Sequence, residues 1–208
     1  MNRKNYTIMT LDDHRAAARE LATVHHSVAE FEAEIAGILD GRQRNRFAAE
    51  VCRRLRRNLQ LIHKRLDRVR AGMREVQANT LATDQAAGGC WPDRPSRRQA
   101  AREKRAPGIL APDQHIAAAW ALGPSQAALQ RFLRIISLRR HLPVRIMDDA
   151  IRVLHTIQVI RCEMEDFEFY TFNDYEFPWV NYWLGPSNYF ERSELASVTA
   201  NGETAEVN

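Results

Sequence analysis

The chain has 208 residues, is 45% hydrophobic, and carries a formal net charge of +4 with a mean hydropathy of −0.47. That length and apolar content suit one domain, or one and a half with a linker, and supply enough apolar side chains for a core. No apolar run approaches the roughly 18 residues of a membrane helix, no apolar stretch follows Arg3 and Lys4 as in a secretory leader, and three widely spaced cysteines do not make a disulfide framework. The expectation is a cytoplasmic protein in a reducing compartment.

The charge is unevenly spread. Residues 1–41 carry −3, residues 42–105 carry +12, residues 106–162 carry +4 and residues 163–208 carry −9. Such asymmetry points either to a polyanionic partner for the middle or to attraction between the middle and the C-terminal part.

In chain order, Asp12-Asp13 predicts a helix start, because carboxylates suit the positive end of a helix. Leu21, Val24, Val28, Phe31, Ile35 and Ile38 recur at spacings of three and four and form one apolar stripe, stopped at Asp40-Gly41. A second helix from near Arg44 carries Ala48, Cys52, Leu55, Leu59, Ile62, Leu66, Val69, Met73 and Val76. Its unbroken alternation of four and three is a coiled-coil-like seam. A short loop between the stripes predicts an antiparallel hairpin over residues 11–77, each helix covering part of the other's stripe. The length of the seam also suggests self-association into a homo-oligomer.

Residues 78–111 lose the periodicity and hold Gly88-Gly89, Pro92, Pro95 and Pro107 among Arg94, Arg97, Arg98, Arg102, Lys104 and Arg105. This reads as a basic, flexible linker. Periodicity returns over residues 112–192. One short helix with Ile116, Ala119 and Trp120 is expected to end at Gly123-Pro124. A second carries Ala128, Leu129, Phe132, Leu133 and Ile136. After Pro143 a long helix carries Ile146, Ala150, Val153, Ile157, Ile160, Met164 and Phe167. Residues 193–208 read as a disordered acidic tail. The fold class is therefore all-α: an N-terminal hairpin and a small C-terminal helical bundle joined by the linker. Leu-Gly-Pro-Ser occurs at 122–125 and again at 184–187, which reads as shared helix punctuation rather than duplication.

Two features bear on function. Arg53, Arg54, Arg56, Arg57, Lys64, Arg65, Arg68, Arg70 and Arg74 decorate the second helix outside its seam, opposed by only Glu50, Asp67 and Glu75. Arginine's planar fork matches phosphate, so this helix is a candidate nucleic-acid surface of the backbone-reading kind, with no motif for base edges. A solvated face is the plainer reading. Secondly, eleven of the seventeen aromatic residues lie between Phe167 and Phe190, interleaved with acids. Such a stretch seldom stays exposed. It can close over the protein's own core, or dock on a protein partner with Trp179, Tyr182 and Trp183 as anchors. If it folds back, its carboxylates would compete with polyanions for the basic helix.

Arg57-Asn58-Leu59-Gln60-Leu61-Ile62-His63 has the form R-x5-H with a polar residue after the arginine. These seven residues resemble the signature of the HEPN superfamily, helical domains that include metal-independent ribonucleases. The resemblance implies, for Arg57 and His63, a cleft at a dimer interface and cleavage of RNA by its own 2′-hydroxyl. No Glu-x-x-His pair, His-Glu-x-x-His, Cys-x-x-Cys or phosphate-binding glycine loop is present, so no metal or cofactor is expected. Cys52 falls on the seam and reads as core, Cys90 as an exposed thiol. The favoured function is a non-catalytic adaptor or assembly subunit contacting nucleic-acid phosphates. The alternatives are a HEPN-like ribonuclease and a purely protein–protein module.

Overall fold

A computed structural model describes residues 8–40, 46–80, 91, 110, 112–137, 139 and 142–171. Trp179, Tyr182, Trp183, Cys90, the expected tail and most of the expected linker lie outside these residues. The fold is all-α. Among the described residues the helices are α1 (Leu11–Glu34), α2 (Ala36–Asp40), α3 (Arg46–Thr80), α4 (Pro112–Ser137) and α5 (Val144–Thr171).

The cap of α1 is Thr10, two residues before the expected acids. Thr10 Oγ1 accepts from the Asp13 N–H at 3.2 Å, and Asp13 Oδ2 accepts from the Thr10 N–H at 2.9 Å. This reciprocal box satisfies two otherwise orphaned donors and contributes on the order of 1 kcal/mol. The helix breaks at Ile35, and α2 carries the last stripe residue, Ile38. Gly123-Pro124 does not divide α4, which runs through as one helix. Pro124 lies on the exposed side, away from the core. A helix held by packing along its length can carry the loss of one backbone bond, at about 3 kcal/mol.

The three expected stripes are buried almost completely: every α1 and α2 stripe residue is at most 2% exposed, α3 from Cys52 to Val76 at most 5%, and α5 from Ile146 to Phe167 at most 1%. What buries them differs from the hairpin expectation. The principal neighbour of α1 is α4, and that of α3 is α5; α1 and α3 touch less.

The polar contacts fix the directions. Asp13 meets Arg139 and Glu20 meets Arg131, so α1 and α4 are antiparallel. Arg54 meets Glu163, Arg65 meets Thr156, Arg68 meets Asp149 and Glu75 meets Arg145, so α3 and α5 are antiparallel along most of their length. His14 with Thr80 and His63 with Glu32 make α1 antiparallel to α3. Gln126 with Arg161 and His115 against Phe167 do the same for α4 and α5. Helices α1 and α5 therefore run one way and α3 and α4 the other, a four-helix bundle with a single long crossover. The end of α3 and the start of α4 lie at opposite ends of the bundle, and residues 81–111 join them. Trp91 and Leu110 from this stretch are both buried.

The α3 seam is thus consumed inside one chain, which removes it as a surface for self-association. It approaches α5 closely at Gly72, where an added Cβ would lie 2.8 Å from Ile146 Cγ1 and 2.9 Å from Cδ1. Helix propensity favours alanine over glycine by about 1 kcal/mol, and overpacking costs about 1–3 kcal/mol. Gly72→Ala is expected to lower the denaturant midpoint. In an Ile146→Ala background, which removes both clashing atoms, the same change is expected to raise it. A stabilising Gly72→Ala in the parent protein would refute the close approach.

Candidate nucleic-acid interface

The nine cations singled out on α3 separate into two groups, according to what each guanidinium or ammonium touches. The first group fastens the bundle. Arg68 makes a two-pronged contact with Asp149, Nε donating to Oδ2 at 2.8 Å and Nη2 to Oδ1 at 2.6 Å. The hydrogen bond from Arg68 holds the Asp149 carboxyl below the usual carboxylate range, against burial and helped by Arg65 and Arg152 nearby. Arg65 Nη1 donates to Thr156 Oγ1 at 2.9 Å and to the Arg152 carbonyl at 3.4 Å. Arg74 donates to the Trp91 carbonyl at 3.0 Å, while Arg70, largely shielded from solvent, pairs with Asp67 one turn back on α3 itself at 3.3 Å.

Arg54 sits between the groups. It lies 3.5 Å from Glu163, which also accepts from Asn58 Nδ2 at 3.1 Å. Burial pushes the Glu163 carboxyl up, and the Asn58 hydrogen bond and Arg54 charge oppose that rise.

The second group faces outward. Arg53 pairs only with Glu50 one turn back on its own helix, an exposed contact of small net value. Arg56, Arg57 and Lys64 are exposed and make no ion pair with another described residue. Positions 53, 56, 57 and 64 recur at helical spacing, so they form one outward stripe on the N-terminal half of α3. From Arg53 to Lys64 the helix rises about 16 Å, comparable to the rise of about five nucleotides along one duplex strand. The stripe stands on a helix whose opposite face is locked in the core, so its cations are held at fixed spacing.

A signal for the division was present in the sequence. Arg54 and Arg68 stand two heptads apart on α3, as do Asp149 and Glu163 on α5. Opposite charges flanking two heptad seams in antiparallel register mark inter-helix pairs.

Arg57 and His63 are not brought together within the chain. Six residues along a helix turn them about 120° apart. Arg57 is exposed, whereas His63 is buried toward α1, where its Nε2 lies 2.9 Å from Glu32 Oε2. Cys52 is core: its thiol donates to the Ile38 carbonyl at 3.5 Å, and burial pushes its pKa up. Cys162 is exposed.

Among the described residues, no group of histidines, cysteines and carboxylates could hold a metal ion. A groove of about 210 Å³ beside Gly72 is rimmed by Arg68 and Arg145, each already engaged by a carboxylate. A second, of about 360 Å³, lies at the bundle end between Ile8, Val76, Thr80 and Pro143. Neither gathers converging polar groups of the kind that orient a small substrate. No described helix is long and apolar enough to cross a membrane. Comparison with known protein families, curated proteins and solved structures found no match.

Proposed function

We propose that this protein is a non-catalytic helical binding module that contacts nucleic-acid phosphates through Arg53, Arg56, Arg57 and Lys64. The observation that supports this reading is the division of the α3 cations. Four of the nine, Arg54, Arg65, Arg68 and Arg74, contact other parts of the fold, Arg54 partly; Arg70 is largely shielded and pairs on its own helix, and the other four fall on one outward stripe instead of scattering. Contacts with α5 and Trp91 explain Arg65, Arg68 and Arg74, and among the described residues no contact with another helix explains the stripe. Contact would be to the backbone, since three arginines and a lysine on a convex helix offer charge and forked donors but no pocket for a base.

The test is binding of duplex DNA, single-stranded DNA and RNA across a salt series, for the parent and for Arg56→Gln/Arg57→Gln/Lys64→Gln. All three side chains are exposed, so the variant keeps the core intact. Each lost phosphate contact lowers the steepness of log K against log salt by about 0.9 on duplex DNA, so the variant is expected to lose about 2–3 from the slope. Equal slopes for the two proteins, or no binding by the parent at low salt, would sink the reading. The ribonuclease alternative makes a different prediction, cleaved RNA in the same samples.

A further inference from the structure

The stripe has a neighbour of opposite charge on its own chain. Helix α5 runs antiparallel to α3, and its C-terminal part travels toward the start of α3. The first carboxylate of the acidic run, Glu163, is already seated there, on Arg54 and Asn58. Asp166, one turn on, is exposed. The described chain ends at Thr171, about 12 Å further along the helix axis in the direction of Arg46. Beyond it the sequence carries Asp174, Glu176, Glu191, Glu194, Glu203 and Glu206 against a single basic residue, Arg192.

We infer that residues 172–208 dock on the outward cations of α3, Arg53, Arg56, Arg57 and Lys64, and compete there with nucleic acid. The competition rests on the function proposed above; the docking does not. Reach is ample. The level of Lys64 lies about 24 Å back along the bundle from Thr171, a span that about eight extended residues cover. Covalent attachment sets an effective concentration on the order of millimolar, so individually weak ion pairs suffice to hold the segment. Glu163 on Arg54 already places one carboxylate of the acidic run against this helix. A nucleic acid then binds only by displacing the segment, which makes weak polyanions poor ligands and leaves strong ones able to bind.

Two measurements on the full chain test this. A carbodiimide joins lysine amines directly to carboxylates, and the chain has only Lys4, Lys64 and Lys104, so Lys64 products map cleanly. Cross-links from Lys64 to carboxylates beyond residue 171 are expected within the monomer at low salt, and are expected to vanish in molar salt. Their absence at low salt overturns the docking. The second measurement is nucleic-acid affinity after Asp174→Asn, Glu176→Gln, Glu191→Gln, Glu194→Gln, Glu203→Gln and Glu206→Gln together. Binding about tenfold tighter is expected if the segment covers the stripe in about nine molecules of ten. Unchanged affinity overturns the competition. If neither protein binds nucleic acid, the proposed function fails, while the cross-link still decides the docking.

Discussion

Residues 1–91, expressed without the rest of the chain, are expected to show no cooperative thermal transition as a monomer; adding residues 92–208 is expected to restore one. The fragment holds α1 and α3 but lacks the principal neighbour of each, α4 and α5. Leu55, Leu59, Ile62, Leu66, Val69 and Met73 on α3 are at most 1% exposed in the intact chain. Burying such a side chain fully contributes about 1.5–3 kcal/mol. Losing even half of that burial over these residues is comparable to the roughly 5–15 kcal/mol of a whole domain. Arg68 and Arg65 would also lose Asp149 and Thr156. Circular dichroism melts of each fragment and of their mixture, with light scattering to establish the oligomeric state, make the check. A monomeric 1–91 fragment that melts cooperatively would show that the hairpin stands alone and that the crossed pairing is secondary.

That prediction reverses what the sequence suggests, and the reason is physical. A stripe at spacings of three and four says which face of a helix is apolar, and α1, α3 and α5 were legible for that reason. It does not say which other face covers it. A short connection between α1 and α3 favours neighbours, but burial is decided by the total area that four helices can hide together. Buried alanines, Ala17 and Ala18 on α1 and Ala118, Ala119 and Ala128 on α4, let those helix axes approach closely. Small residues give a weak apolar signal, so this pair was the least visible. Pro124 misled for the opposite reason: the local rule is strong, but one lost backbone bond on an exposed side is outweighed by packing along the helix. The candidate site was half legible. The composition of α3 marked the cations, while their partition required knowing that α5 brings Asp149 and Glu163 against them. The seven-residue motif likewise did not reveal that His63 is buried against Glu32 while Arg57 is exposed.

Acid is expected to destabilise the protein before most of its carboxylates titrate, chiefly through His115. This side chain is fully buried on α4, its ring 6.0 Å from that of Phe167 on α5. Burial pushes its pKa down to about 4 from 6.5. The unfolded chain therefore takes up a proton at a pH where the folded chain does not. Stability from this group is fully present above pH 6.5 and is lost as the pH falls from there toward 4. The loss is about 2 kcal/mol by pH 5 and about 3 kcal/mol by pH 4. His14 acts in the same direction, its pKa lowered by burial against the pull of Asp13. Glu163, whose pKa burial raises, runs the other way and offsets part of the loss as it protonates. Asp149, held low by Arg68, adds its loss once the pH falls through the usual carboxylate range and below. Between pH 6.5 and 5 the histidines therefore set the slope. Denaturant midpoints of the parent should fall steeply across this interval, and those of His115→Gln, which cannot titrate, should fall less by about 2 kcal/mol. Parallel pH profiles for the two proteins would mean that His115 is protonated without cost in the folded chain, and that the contact between α4 and α5 around Phe167 is open to water.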